Sequence, residues 1–261
     1  MAYTLFDALL NLGGALRESY FGAADSGSTT TVVDARFHGN SDFYHEGTIL
    51  HITKKDAREI TTVSGGTVTF TAAFSTAVAT GDQYMLIPPT YPKQQMIMAI
   101  NQALAAMGPV TTYNQAVLVT ADTYEYSLAA QAVSNIVRVE TTDDTTSPYV
   151  FKPNFYWREG NGYLLFKPEH QPTTATAPIR IWYNGAHAWL SALTGEINYG
   201  VHPDRLRWEA LANLYRWRYH KAGKDEEVIA ASLNEAISMA AVMQKLHPIK
   251  RMNRDTILAG W

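Results

Sequence analysis

Imidazoles and carboxylates gather in one short stretch, FHGNSDFYHEGTILH, which carries His38, Asp42, His45, Glu46 and His51. Such side chains are the usual ligands of zinc and of harder divalent ions. Their separations match none of the compact ligand spacings, and histidines in loops need no special purpose. The stretch is therefore read as a polar loop between two strands, with no metal assigned. Two adjacent acid pairs, Asp143 with Asp144 and Glu226 with Glu227, have the residue types of a glycan hydrolase's acid and base. Neighbours in sequence usually point apart. The first pair sits in a TTDDTT turn and the second in the first turn of a helix, where negative charge suits the macrodipole. There is no GxSxG elbow, phosphate-cradling Gly-Lys-Ser/Thr loop, dinucleotide fingerprint, HExxH helix or calcium loop. The expectation is a protein that is not an enzyme, with no catalytic residue, cofactor or metal.

Arg205, Arg207, Arg216, Arg218, Lys221 and Lys224 concentrate on and just after one helix, interleaved with Trp and Tyr. Cations among aromatics are what a single-stranded nucleic-acid face would show. The whole chain, however, has 21 Lys and Arg against 24 Asp and Glu, a net charge of -3. It lacks the global basic character of a protein that grips phosphates. The cations are read as snorkelling around an aromatic stripe that extends to an inter-subunit surface. A second aromatic set, Tyr156, Trp157, Tyr163, Phe166, Trp182 and Tyr183, could line a binding face. Aromatic alternation in half-buried strands is read as core.

The elements that must carry these residues follow from pattern. The 261 residues suffice for one large domain or two modest ones. Charged residues are 17%, below the usual quarter, so more surface is buried or shared with partners. Absence of cysteine removes disulfides, thiolate metal sites and cysteine nucleophiles together. The N-terminus lacks a basic n-region and a cleavage site, and no apolar run is long enough for a membrane helix, so synthesis in the cytoplasm is expected.

Leu5, Leu9, Leu12 and Leu16, with Thr4 and Asp7 as a capping box, predict an N-terminal helix within residues 1–22, weakened by Gly13 and Gly14. The hydroxyl-rich DSGSTTT after it reads as a loop. Short Val-, Ile-, Thr- and aromatic-rich pieces predict a small antiparallel β-domain over 30–87, its clearest hairpin turning at Ser64, Gly65 and Gly66. A central helix over 90–108 carries Met96, Ile97, Ile100 and Leu104, and a second β-region covers 116–186. A C-terminal helical hairpin spans 203–247, with Gly223 ending its first helix and Asp225 capping its second. Its first helix is apolar most of the way round, so Trp208, Leu211, Tyr215 and Trp217 are assigned to packing on the hairpin partner and on a neighbouring subunit. Residues 248–261, PIKRMNRDTILAGW, form a basic and apolar tail. The expected fold class is α+β: a helical bundle of N-terminal helix, central helix and C-terminal hairpin, with two antiparallel β-regions and an extended C-terminal tail.

Two stretches resemble head-to-tail adaptor (connector, neck) proteins of tailed bacteriophages. In the first, a helix with Ile100, Asn101, Ala103 and Leu104 precedes a strand with Tyr126 and Leu128 and another with Ile136, Arg138 and Val139. In the second, a Gly-led strand and a hairpin are closed by a strand with Gly81, Asp82 and Tyr84. The resemblance implies a virion protein without catalysis, assembled in the host cytoplasm. It implies a dodecameric ring of copies between the portal protein and tail or nozzle proteins, with genomic DNA passing through without sequence-specific binding and no membrane contact. Under it the tail becomes a portal-docking arm, loosely held in the free subunit, with Ile249, Lys250, Arg251, Arg254, Ile257, Leu258 and Trp261 as contacts. A carbohydrate- or receptor-binding tail or baseplate module is the alternative, with the aromatic second β-region as its face. An enzyme acting on cell-wall glycan is a third reading.

Overall fold

The computed structural model describes residues 2–37, 41–131, 133–222 and 227–254. Its architecture is mostly β: the described residues form three antiparallel sheets of seven, four and three strands, with four α-helices. The expected helical bundle with two β-regions is thus overturned. Part of the difference lies in and just before DSGSTTT, which the sequence predicts to be a loop: strand β1 (Tyr20–Ala23) precedes it, β2 (Ser26–Gly27) lies within it, and β3 (Thr31–Val33) begins at its last residue. Ser26 and Gly27 have weak intrinsic strand preference, and pairing with residues far along the chain fixes the set, Tyr20 opposite Leu86 and Val32 opposite Val68.

The chain divides into two compact units, the first Met1–Met107 with Ala188–Pro248, the second Gly108–His187 with Ile249–Trp261. In the first unit β1, β2 and β3 join β4 (Thr48–His51), β5 (Asp56–Ser64), β6 (Thr67–Phe70) and β7 (Gln83–Ile87) in the order β1-β7-β4-β5-β6-β3-β2. The two edge strands are therefore consecutive in sequence. A flat sheet of this width would hold its edges about 29 Å apart at about 4.8 Å per strand. Ala23 and Ser26 can be separated by no more than about 11 Å of extended chain. The sheet must roll, and Val32, Ile49, Ile60, Val68, Phe70 and Leu86 form the core inside it. The β5–β6 turn falls where the sequence puts it, with Gly65 at φ 55° and Gly66 at φ 79°.

Leu50, Met85 and Ile87 point to the other face of the same strands and are also buried. Helix α1 (Leu5–Gly14) covers that side, opened by the Thr4/Asp7 capping box. Gly13 lets it approach: a Cβ there would meet Met85 Sδ at 2.8 Å and Ile87 at 2.9 Å. Helix α2 (Lys93–Met107) buries Met96, Ile97, Ile100 and Leu104, as its apolar stripe predicts. Helix α3 (Pro203–Ala222) packs against α1, α2 and α4 (Glu227–Leu246), which explains its nearly continuous apolar surface.

In the second unit β8 (Val110–Leu118), β10 (Ile136–Thr141), β11 (Lys152–Asn154) and β14 (Pro178–Gly185) make a sheet in the order β11-β10-β14-β8. The strands β9 (Glu125–Ser127), β12 (Trp157–Gly160) and β13 (Tyr163–Phe166) make the three-stranded sheet. Side chains of both sheets share one core, in which Val139, Trp157, Leu164, Phe166, Ile179 and Ile181 are fully buried. Trp157 and Phe166 were thus rightly read as core, whereas Tyr163 is exposed.

Candidate functional site

The imidazole and carboxylate stretch is split by the fold. Asp42, His45 and Glu46 lie exposed around a short turn, His38 is outside the described residues, and His51 points into the rolled sheet with no exposed surface. Its ring sits edge-on to Phe74, centroids 4.9 Å apart. Nδ1 accepts from the Lys54 amide at 3.2 Å, which leaves the proton on Nε2, 3.3 Å from Asp82 Oδ2. Lys54 Nζ lies 3.3 Å from the same carboxylate oxygen. Burial, aided by Lys54, holds the His51 pKa down against the opposing pull of Asp82, so the imidazole is neutral. At Asp82 burial acts upward, but the Ala79 amide, Lys54 and His51 outweigh it and the carboxyl is held low. Among the described residues no group of three or more His, Asp or Glu is placed to hold a metal ion.

Of the acid pairs, Asp143 and Asp144 contact their own chain. Asp144 accepts from Thr142 Oγ1 at 3.1 Å and from the Val150 amide at 2.8 Å, while Asp143 faces Lys152 at 3.6 Å. Glu227 opens α4, and Glu226 is outside the described residues. A groove of about 470 Å³ in the first unit is lined by Tyr20, Phe21, Asp34, Arg36 and Gln83. Asp34 is already bound there, accepting from Tyr84 Oη at 2.9 Å, Tyr20 Oη at 3.2 Å and the Arg36 amide at 2.9 Å.

The cations of α3 mostly turn back onto their own chain. Arg205, buried, pairs with Glu209 at 2.8 Å and donates to the His247 carbonyl at 3.1 Å. Arg207 faces Asp204 at 3.3 Å, Arg218 bridges Tyr91 and Glu18, and Lys221 lies over Trp217. Lys224, with Gly223 and Asp225, is outside the described residues. Of the four residues assigned to subunit packing, Leu211 and Tyr215 are core within the chain. Trp208 and Trp217 are half-buried, and the Trp208 Nε1 is buried with no hydrogen-bond partner among the described residues.

A further set of exposed aliphatic side chains lies one helix further out. Helix α4 packs on α3, yet of its side chains only Ile229 and Ala236 are buried. Val228 is 72% exposed and Leu246 63%, and with Val242 they fall on one stripe, while Ile237 is exposed on the other flank. In this helix only Glu227, Glu235 and Lys245 are charged, a signal readable in the sequence but outweighed there by the aromatics of α3.

In the second unit the outer face of the four-stranded sheet carries a polar and aromatic network. Arg180 lies 3.7 Å from the Phe151 ring centroid and 3.3 Å from Glu140 Oε2, which also accepts from Trp182 Nε1 at 2.9 Å. Tyr113 stacks obliquely on Trp182 at 5.0 Å and is exposed. The described tail is held by this unit: Arg251 Nε donates to the Pro109 carbonyl at 2.9 Å, and the Met252 amide donates to Thr111 Oγ1 at 2.9 Å. Arg254 lies over Trp157, centroid distance 5.3 Å, and Lys250 is exposed. These contacts differ from the loosely held arm expected from sequence. Ile249 is half-buried; Ile257, Leu258 and Trp261 are outside the described residues.

No helix of the described residues is long and apolar enough to cross a membrane. No family model matches the chain, and no curated protein matches it.

Proposed function

We propose that the chain is a structural subunit of a bacteriophage particle, a head-to-tail adaptor that assembles into a ring between portal and tail and continues the DNA channel. The observation that carries the assembly part is one stripe of α4, where Val228, Val242 and Leu246 stand in solvent on a helix with few charges. Soluble monomers seldom leave such a line of large aliphatic side chains bare, and copies of the chain or a neck neighbour would cover it. The neck position rests on the resemblance of the helix around Asn101 and of the strands around Tyr126 and Arg138 to adaptor proteins. In this reading the chain catalyses nothing, binds portal and tail proteins, and resides in the virion after assembly in the host cytoplasm. Electron microscopy of the purified protein mixed with candidate portal rings tests it. A ring seated on one end of the portal is expected, and a protein that stays monomeric and leaves every portal bare overturns it.

A second reading, a carbohydrate- or receptor-binding tail module, is favoured by the exposed Tyr113 beside Trp182 and the Arg180–Glu140 pair, the mixture of flat rings and polar groups that sugars bind. Glycan-array binding lost on Tyr113→Ala would support it over the first.

A further inference from the structure

We propose that residues 249–254 are an exchangeable arm, and that when copies of this chain associate the arm of one copy seats in the second unit of the next. The proposal rests on the self-association in the reading above and names the segment that links the copies. The seat is a closed ring of hydrogen bonds around the backbone of one residue. The Met252 amide donates to Thr111 Oγ1 at 2.9 Å, Thr111 Oγ1 donates to Asn184 Oδ1 at 2.6 Å, and Asn184 Nδ2 donates to the Met252 carbonyl at 3.2 Å. Thr111 and Asn184 are cross-strand partners on β8 and β14, so the clamp is built on a rigid ladder. It holds backbone alone, with Arg251 on the Pro109 carbonyl beside it.

The arm does not seat on the unit it springs from. The first unit ends at Pro248 and the second takes up the chain at Ile249. Just upstream the chain is fixed: the His247 carbonyl is bound by Arg205, and the His247 ring stacks on His202 with centroids 3.6 Å apart and planes 3° apart. A change of partner therefore needs rotation only across the few residues from Pro248 to Lys250. Every copy carries the same clamp, so exchange forfeits no bond within the seat, which is the condition for swapping between identical chains. The bare face of α4, with Val242 and Leu246 a few residues before the arm, is where a second copy packs, and packing there raises the effective concentration of the neighbour's clamp.

The test uses the full chain. Protein of natural and of heavy nitrogen composition is mixed, allowed to associate and treated with an amine-reactive cross-linker. Cross-links from Lys250 to Lys152 and Lys167 of the second unit are then read by mass. Mixed-isotope pairs are expected in the associated fraction and not in the monomer. They should be lost in Asn184→Asp, which sets a carboxylate against the Met252 carbonyl, and reduced in the near-isosteric Thr111→Val should the first variant fold poorly. Associated chains with same-isotope pairs alone would overturn the exchange and leave the assembly reading standing. Mixed pairs undiminished in both variants would show that the clamp is not the seat. A protein that never associates would overturn both proposals.

Discussion

Asn101, on the buried side of the central helix, holds Leu190 by both of its backbone polar atoms: Oδ1 accepts from the Leu190 amide at 2.8 Å and Nδ2 donates to the Leu190 carbonyl at 2.8 Å. Nδ2 also donates to the Ile97 carbonyl one turn back, at 3.0 Å. The side chain thus acts as a peptide group, fastening the segment that leads into α3. Asn101→Leu would leave both Leu190 groups unsatisfied, and each such loss costs about 1–3 kcal/mol. Urea denaturation should show a loss of about 2–5 kcal/mol, whereas a change below about 1 kcal/mol would mean that the segment is held by its other contacts.

His51 should make the first unit acid-sensitive. Its pKa lies below the ordinary value of about 6.5 because burial disfavours the cation. The unfolded chain therefore takes up the proton first, and stability is lost as pH falls below about 6.5, toward the depressed folded value. Asp82, also held low, adds its own loss only when pH falls below about 4. Urea midpoints measured between about pH 7.5 and 5 should decline for the parent, and the decline should flatten in His51→Gln. An unchanged slope in the variant would place the titration elsewhere.

The aromatic helix α3 should respond unevenly to truncation. Leu211 is 1% exposed and its loss should cost about 2–5 kcal/mol, the range for a buried leucine. Trp217 is half-buried, so Trp217→Ala should fall below the about 3–5 kcal/mol of a fully enclosed ring. Thermal unfolding of the two variants side by side checks the order; a larger cost at Trp217 would show that its exposed part is covered in solution.

The β5–β6 turn distinguishes two glycines that are equivalent in sequence. A Cβ at Gly65 would meet nothing within 4 Å, and a Cβ at Gly66 would lie 2.7 Å from the Asp34 carbonyl oxygen. Gly65→Asn should be nearly neutral, since asparagine tolerates the left-handed conformation. Gly66→Ala carries both the backbone strain of about 1–2 kcal/mol and a clash with main chain that cannot rotate away. Circular dichroism melts should show the second variant well below the first, and equal melts would refute the contact.

Adding charge to the bare helix separates folding from assembly. Val242→Glu with Leu246→Glu should leave the melting temperature within a few degrees of the parent, because surface substitutions usually stay within about 0.5 kcal/mol. Sedimentation velocity should show the associated species lost. Association at full strength would mean that another surface joins the copies.

What the sequence determined by itself is local. The Thr4/Asp7 box, the Gly65–Gly66 turn, the apolar stripe of α2 and most of the strand pieces are encoded within a few residues, and short-range periodicity reads them correctly. The architecture and the exposed apolar surfaces came from tertiary structure, because each depends on contacts distant in the chain. Tyr20–Ala23 is a strand only because Gln83–Leu86 lies beside it, and the adjacency of β1 and β2 is what obliges the seven-stranded sheet to roll. Trp208 and Trp217, assigned from the sequence to an inter-subunit surface, are half-buried on a helix that packs against α1, α2 and α4. Which face of α4 stays bare follows from where α3 sits, and neither helix's own pattern contains that information. The clamp on Met252 joins Thr111 to Asn184 across a ladder whose register no local spacing reveals, so two ordinary polar residues become a site only when the sheet is formed.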